Sequence, residues 1–176
     1  DQARQETGNA MIGEKAFTAA LLSGDIQKAA ALAPTGDDAS EAAKRLGKLV
    51  IAVEDIATDK GKDAKALLTD ANIAFPHKSA GALLAPWAAA QAGDVEGSLV
   101  RPQVRGDRLV DYFGQLDQGL LFERAKRYDE AETDLKATVS VQTPTEMAVI
   151  AYGGFLERRG RKVDAERKFF PGYVLV

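Results

Sequence analysis

A stretch near the end of this chain repeats itself 34 residues further on, and no other feature narrows the fold as much. Residues 121–132 align with residues 155–166. Gly119 falls on Gly153, Glu123 on Glu157, Arg124 on Arg158, Arg127 on Arg161, Ala131 on Ala165 and Leu135 on Phe169. A fixed period of this length is the signature of stacked helical hairpins. One hairpin cannot bury both its apolar faces, so neighbours must stack into a continuous core.

The hairpin turns set the register. At Ser23-Gly24-Asp25 one apolar-periodic run stops and another starts. Gly24 suits the left-handed end of a helix, and Asp25 suits the cap of the next. The same break returns at residues 59–64, 92–97, 126–131 and 160–165, which makes about five hairpins. The last three breaks keep the period of 34; the first two drift by one to three residues. First helices carry apolar stripes at intervals of three and four. Ala42, Ala43, Leu46, Leu49, Val50, Val53, Ile56 and Ala57 predict a helix over residues 39–58. Leu116, Leu120, Leu121 and Ala125 predict another after Asp111, and Met147, Ile150, Ala151, Gly154 and Leu156 a third after Pro144. Shorter second helices are marked by Ala29 to Ala33, by Ala64 to Ala71 and by Ala131 to Val139. Pro34, Pro76, Pro102 and Pro144 close them. Gly119 and Gly153 read as close helix crossings. Ser40 and Ser79 read as helix starts.

Composition removes several function classes. The 176 residues suit one domain or one short repeat array. Aromatic residues are only 7% of the chain while alanine is abundant, which suits closely approaching helix axes. Net charge is -3 and no long basic run occurs, so nucleic acid is not an expected partner. The absence of cysteine excludes disulfides and thiolate metal sites. No apolar stretch reaches the roughly 18 residues that predict a bilayer span. A start at Asp1 without methionine fits a periplasmic product whose signal was removed, and equally a cytoplasmic fragment.

No residue set points to catalysis, a metal or a cofactor, so none is expected. The one histidine, His77, sits in a proline loop without convergent ligands of metal spacing. No serine lies in Gly-x-Ser-x-Gly, and Gly153-Gly154 is not followed by the lysine of a phosphate loop.

The spaced pattern resembles the tetratricopeptide repeat. One repeat carries it on Gly119, Phe122, Tyr128, Ala131, Leu135 and Pro144, the next on Gly153, Leu156, Ala165 and Phe169. The chain is most similar to alphaproteobacterial repeat proteins of undefined activity. The resemblance implies an all-α, right-handed solenoid over residues 1–169, with a concave groove lined by first helices that holds a protein or peptide. In that register Phe113, Leu116, Leu120, Met147 and Ile150 line the groove, with Glu123-Arg124 and Glu157-Arg158 beside them. The two acid–base pairs read either as a ladder of solvated ion pairs between repeats or as two arginine forks for a partner's carboxylates. The lysine and asparagine set of the chaperone-type carboxylate clamp is missing. The departures are Pro86 inside a predicted helix over residues 79–91, which calls for a kink or a later start, residues 101–107, which read as a loop after a shortened helix, and a final helix that is expected to stop at Phe170-Pro171.

Residues 166–176 resemble a segment of the N-terminal domain of the NusG transcription elongation factors. The match is confined to eleven residues, and no transcription role is expected from it. Residues 170–176 read as a turn and an extended tail. Its apolar side chains favour an alternative to the binding scaffold, a structural segment of a longer repeat protein that self-associates through exposed terminal repeats.

Overall fold

The computed structural model describes residues 2–37 and 39–160, with residues 2–10 as backbone alone. The C-terminal tail and the second helix of the fifth hairpin, both expected from sequence, lie outside the described residues. Every regular element described is an α-helix: α1 (Gln2–Leu22), α2 (Ile26–Ala31), α3 (Glu41–Ala57), α4 (Gly61–Leu67), α5 (Lys78–Gln91), α6 (Val95–Ser98), α7 (Arg108–Arg124), α8 (Tyr128–Val139) and α9 (Glu146–Arg158). The chain is all-α. It forms two compact units, one through Ser98 and the other from Leu99, a division the periodicity does not reveal.

Four described hairpins each turn on one left-handed residue, Gly24, Asp59, Gly93 and Lys126, and Gly160 at the end of the described chain is left-handed too, at intervals of 35, 34, 33 and 34. The residue after each of the first four donates its amide five residues back. Asp25 bonds Ala20 O at 3.1 Å, Lys60 bonds Asp55 O at 2.7 Å, Asp94 bonds Ala89 O at 2.9 Å and Arg127 bonds Phe122 O at 2.8 Å. These bonds satisfy carbonyls that a helix end leaves orphaned, and they reverse the chain the same way each time. Asp25 then caps α2 through Lys28 N, and Asp94 accepts from Gly97 N. Ser40 caps α3 through Ala43 N, as its position at the start of the stripe predicts. Thr145 caps α9, and α7 starts before Asp111 because Asp107 caps it.

Glycine reaches positive φ without strain, whereas Lys126 holds φ 61 with a side chain in place. Lys126→Gly should therefore stabilise the protein by about 0.5–1 kcal/mol, after discounting glycine's greater freedom when unfolded. The urea midpoint should rise; a fall would mean that the lysine side chain contributes more than the turn geometry does.

Counted from the turn, the same positions pack the same way in successive hairpins. Five residues after it stand Ala29, Ala64, Ser98 and Ala131, each at most 3% exposed. Seven before it stand Phe17, Ala52, Pro86 and Gly119, all buried, then Gly153. A Cβ on Gly119 would lie 2.7 Å from Leu135 Cγ, so this is a close crossing of α7 and α8. Nothing described lies within 4 Å of a Cβ on Gly153, whose expected partner Phe169 is outside the described residues. Twelve before the turn the sequence reads Ile12, Gly47, Gly81, Gly114 and Ala148. The three glycines let the segment leaving the previous second helix cross the next first helix. A Cβ would sit 3.3 Å from Pro34 Cδ at Gly47, 2.7 Å from Ile73 Cγ2 at Gly81 and 2.9 Å from Pro102 Cγ at Gly114.

In the first unit Phe17, Ala20, Ala29 and Val50 form one cluster, and Ala52, Ala64 and Ala88 another. Helix α5 starts at Lys78 and runs on through Pro86, so the helix does not begin at the proline. Helix α6 stops at Ser98, and the loop to Asp107 follows as the sequence predicts. In the second unit Leu116, Ala131, Leu135, Val139, Ala148, Val149, Tyr152 and Phe155 make a larger core from α7, α8 and α9.

Candidate functional site

The groove residues read from sequence all lie in the second unit, on α7 and α9. On α7, Phe113, Leu116, Leu120, Glu123 and Arg124 recur at three and four residues and share a face. On α9 the same spacing joins Met147, Ile150, Gly154 and Glu157-Arg158. The two helices pack together.

The structure divides this set. Leu116 is 1% exposed and belongs to the core with Tyr152 and Phe155, so it is not groove surface. Leu116 itself is covered by α8 and α9. Phe113 and Leu120 are half-buried and pack against the same core. Met147 and Ile150 stand 61% and 58% exposed one turn apart on α9. Leu109, which the sequence reading missed, is 67% exposed four residues before Phe113 on the α7 face. It could have been found by continuing the stripe upstream past Asp111.

The two arginines behave differently, although the repeat makes them equivalent. Arg158 forks the Glu123 carboxylate, with Nε donating to Oε1 and Nη2 to Oε2, each at 2.8 Å. One rung of the expected inter-repeat ladder is thus present, and it joins α9 to α7. Glu123 and Arg124, as neighbours in sequence, do not face one another. The reading of two free arginine forks is corrected, because Arg158 is occupied within the chain. The hydrogen bonds to Glu123 raise the Arg158 guanidinium above its ordinary range, against a smaller opposing effect of burial. Arg124 and Glu157 are exposed, and Arg124 has no partner among the described residues.

A related bridge occurs in the first unit. Gln91 occupies the same place relative to its turn as Arg158, and its Nε2 donates to Ile56 O at 2.8 Å in the preceding hairpin. A donor two residues before the turn, reaching the residue three before the previous turn, is a recurrent link between first helices.

Other polar groups hold the second unit together. Tyr112 OH donates to Thr138 O at 3.1 Å and accepts from Thr145 N at 3.2 Å. Asp134, buried, receives Arg101 Nη2 at 2.5 Å and Gln115 Nε2 at 3.2 Å, which fastens the loop before α7 onto α8. A shallow cavity of about 310 Å³ lies against Phe122, Asp129, Glu130, Thr133 and Asp134. Arg127 covers the Phe122 ring at 4.9 Å and forks Glu130, holding that carboxyl below the usual carboxylate range. Among the described residues no three histidine, aspartate or glutamate side chains converge as a metal site would require. No described helix is long and apolar enough to cross a membrane.

Compared with known protein families, curated proteins and solved structures, the chain matches none of them.

Proposed function

We propose that this protein is a non-enzymatic scaffold, an array of tetratricopeptide-like hairpins wound as a right-handed solenoid. Its first-helix face holds a protein or peptide partner. The observation that carries this reading is the exposure of Met147 and Ile150 on α9, beside the half-buried Phe113 and Leu120 of α7. Large apolar side chains at helical spacing, rimmed by the charges of Arg124 and Glu157, offer anchors and a polar edge. Interfaces draw most of their affinity from such desolvated centres. The repeated turn supports the array, since left-handed residues at intervals of 33 to 35 reverse the chain four times through the same hydrogen bond.

Affinity capture from an extract of the native cell tests the proposal. A protein held by the wild type should be lost at least tenfold with Met147→Asp combined with Ile150→Asp, and also weakened by Arg124→Glu. It should be kept with Lys136→Glu, an exposed change on α8. Circular dichroism should show unchanged helicity, because all four side chains are exposed. A partner held equally by every variant would place the binding surface elsewhere and overturn this reading.

A further inference from the structure

Arg124 and Arg158 occupy equivalent places in successive hairpins, yet only Arg158 is engaged within the described chain. Two differences separate them: the place that Glu123 holds for Arg158 is Ala90 for Arg124, and four residues before each arginine α9 has Gly154 where α7 has Leu120. A Cβ on Gly154 would stand 2.9 Å from Arg158 Nη1, 3.7 Å from Cζ and 3.9 Å from Nη2. Three guanidinium atoms this close mean that the group lies over the glycine, in space a side chain would fill. From that seat it reaches both oxygens of Glu123, whose side chain is only 16% exposed. On α7 the corresponding seat belongs to Leu120, which packs towards the core.

We infer that the glycine four before Arg158, together with the Glu123 acceptor, gives the two arginines different roles. Gly154 is a positioning residue that stows Arg158 against Glu123 as an internal latch between α7 and α9. Arg124 has a leucine in place of that glycine and Ala90 in place of the glutamate, and is left as the arginine that a partner's carboxylate meets. The second half of this inference rests on the binding face proposed above; the first half stands without it. The latch also neutralises Glu123, so the two arginines, alike in sequence, differ in the net charge they bring to the face.

The test uses the chain alone, so that its failure is distinguishable from failure of the binding-face reading. Gly154→Leu, which copies position 120, should release Arg158. The Arg158 side-chain Nε–Hε resonance, assigned by its loss in Arg158→Lys, should move from a dispersed position into the envelope of solvent-exposed arginines. Glu123→Gln should lower the urea midpoint in the wild type, and that decrease should shrink to less than a third in the Gly154→Leu background. Gly154→Ala carries the same test with less added volume should the leucine variant fail to fold. A persistent dispersed resonance, or an undiminished effect of Glu123→Gln in the position 154 variants, would overturn the assignment.

Discussion

Phe155→Ala should lower the unfolding free energy by about 3–5 kcal/mol, the range measured when a buried aromatic side chain is cut back to its Cβ. Phe155 is 1% exposed and lies at the centre of the second unit, within a core that draws on α7, α8 and α9. Its ring lies nearly parallel to that of Tyr152, 6.5 Å between centroids and 13° between planes, so the substitution also removes an aromatic pair. The cavity has no cheap way to close. Tyr152 is fixed as a neighbour on the same helix, and Leu116 and Leu135 sit on two other helices whose turns are hydrogen-bonded. Urea unfolding followed by far-ultraviolet circular dichroism should show the loss. Met147→Ala on the same helix should be nearly silent, because that side chain is 61% exposed. A cost below about 1 kcal/mol for Phe155→Ala would mean that this core can collapse around the missing ring.

Phe155 also shows what the sequence makes legible and where it stops. The hairpin turns could be read because they depend on local chemistry, a residue that tolerates positive φ followed by a cap or a helix former. Five such turns were expected, and the left-handed residues stand at Gly24, Asp59, Gly93, Lys126 and Gly160. Ala29, Ala64 and Ala131, which mark the second helices in the sequence, stand inside α2, α4 and α8. The glycines twelve before the turn were harder to see. Their partners, Pro34, Ile73 and Pro102, lie at different distances along segments of unequal length, so no fixed spacing announces them. Pro86 was legible as a conflict and not as its outcome. A proline removes one helix hydrogen bond, but its buried ring fills the close-packed position that Ala52 and Gly119 occupy in other hairpins.

The candidate site was legible in position more than in pairing. The period placed Glu123 and Arg158 on neighbouring first helices and allowed a ladder between them. It could not say that the arginine of one hairpin takes the glutamate of the one before, because that depends on the empty seat above Gly154. Nor could a stripe of apolar residues separate Leu116, sealed by α9, from Met147 and Ile150, which α7 leaves open. Helical spacing assigns a face, and only the neighbouring helix decides how much of that face is covered.

Gly61→Ala should destabilise the protein by about 2 kcal/mol, although alanine is the better helix former. Gly61 is the first residue of α4 and is buried against the end of α5. A Cβ there would overlap Gln91 Cβ and stand 2.7 Å from two backbone atoms, Gln91 C and Ala92 N. Backbone cannot swing aside as a flexible side chain can, so α4 must shift, at roughly 3 kcal/mol for overpacking of this kind. The gain in helix propensity returns at most about 1 kcal/mol. The shift is resisted because Gln91 is held from the other side: its Nε2 donates to Ile56 O at 2.8 Å and to Asp59 Oδ1 at 3.3 Å, across the turn that leads into α4. Moving α4 away from α5 therefore strains the bridge that links this hairpin to the next. Gly13→Ala makes the contrast, since it lies inside α1 with no described atom within 4 Å of its Cβ. There the propensity gain acts alone, and the urea midpoint should rise. Opposite signs for one chemical change at two glycines would show that close approach of helices, more than propensity, determines where this repeat requires glycine. A neutral Gly61→Ala would mean that α4 is free to slide along α5, and that the hairpin is held by its turn more than by its packing.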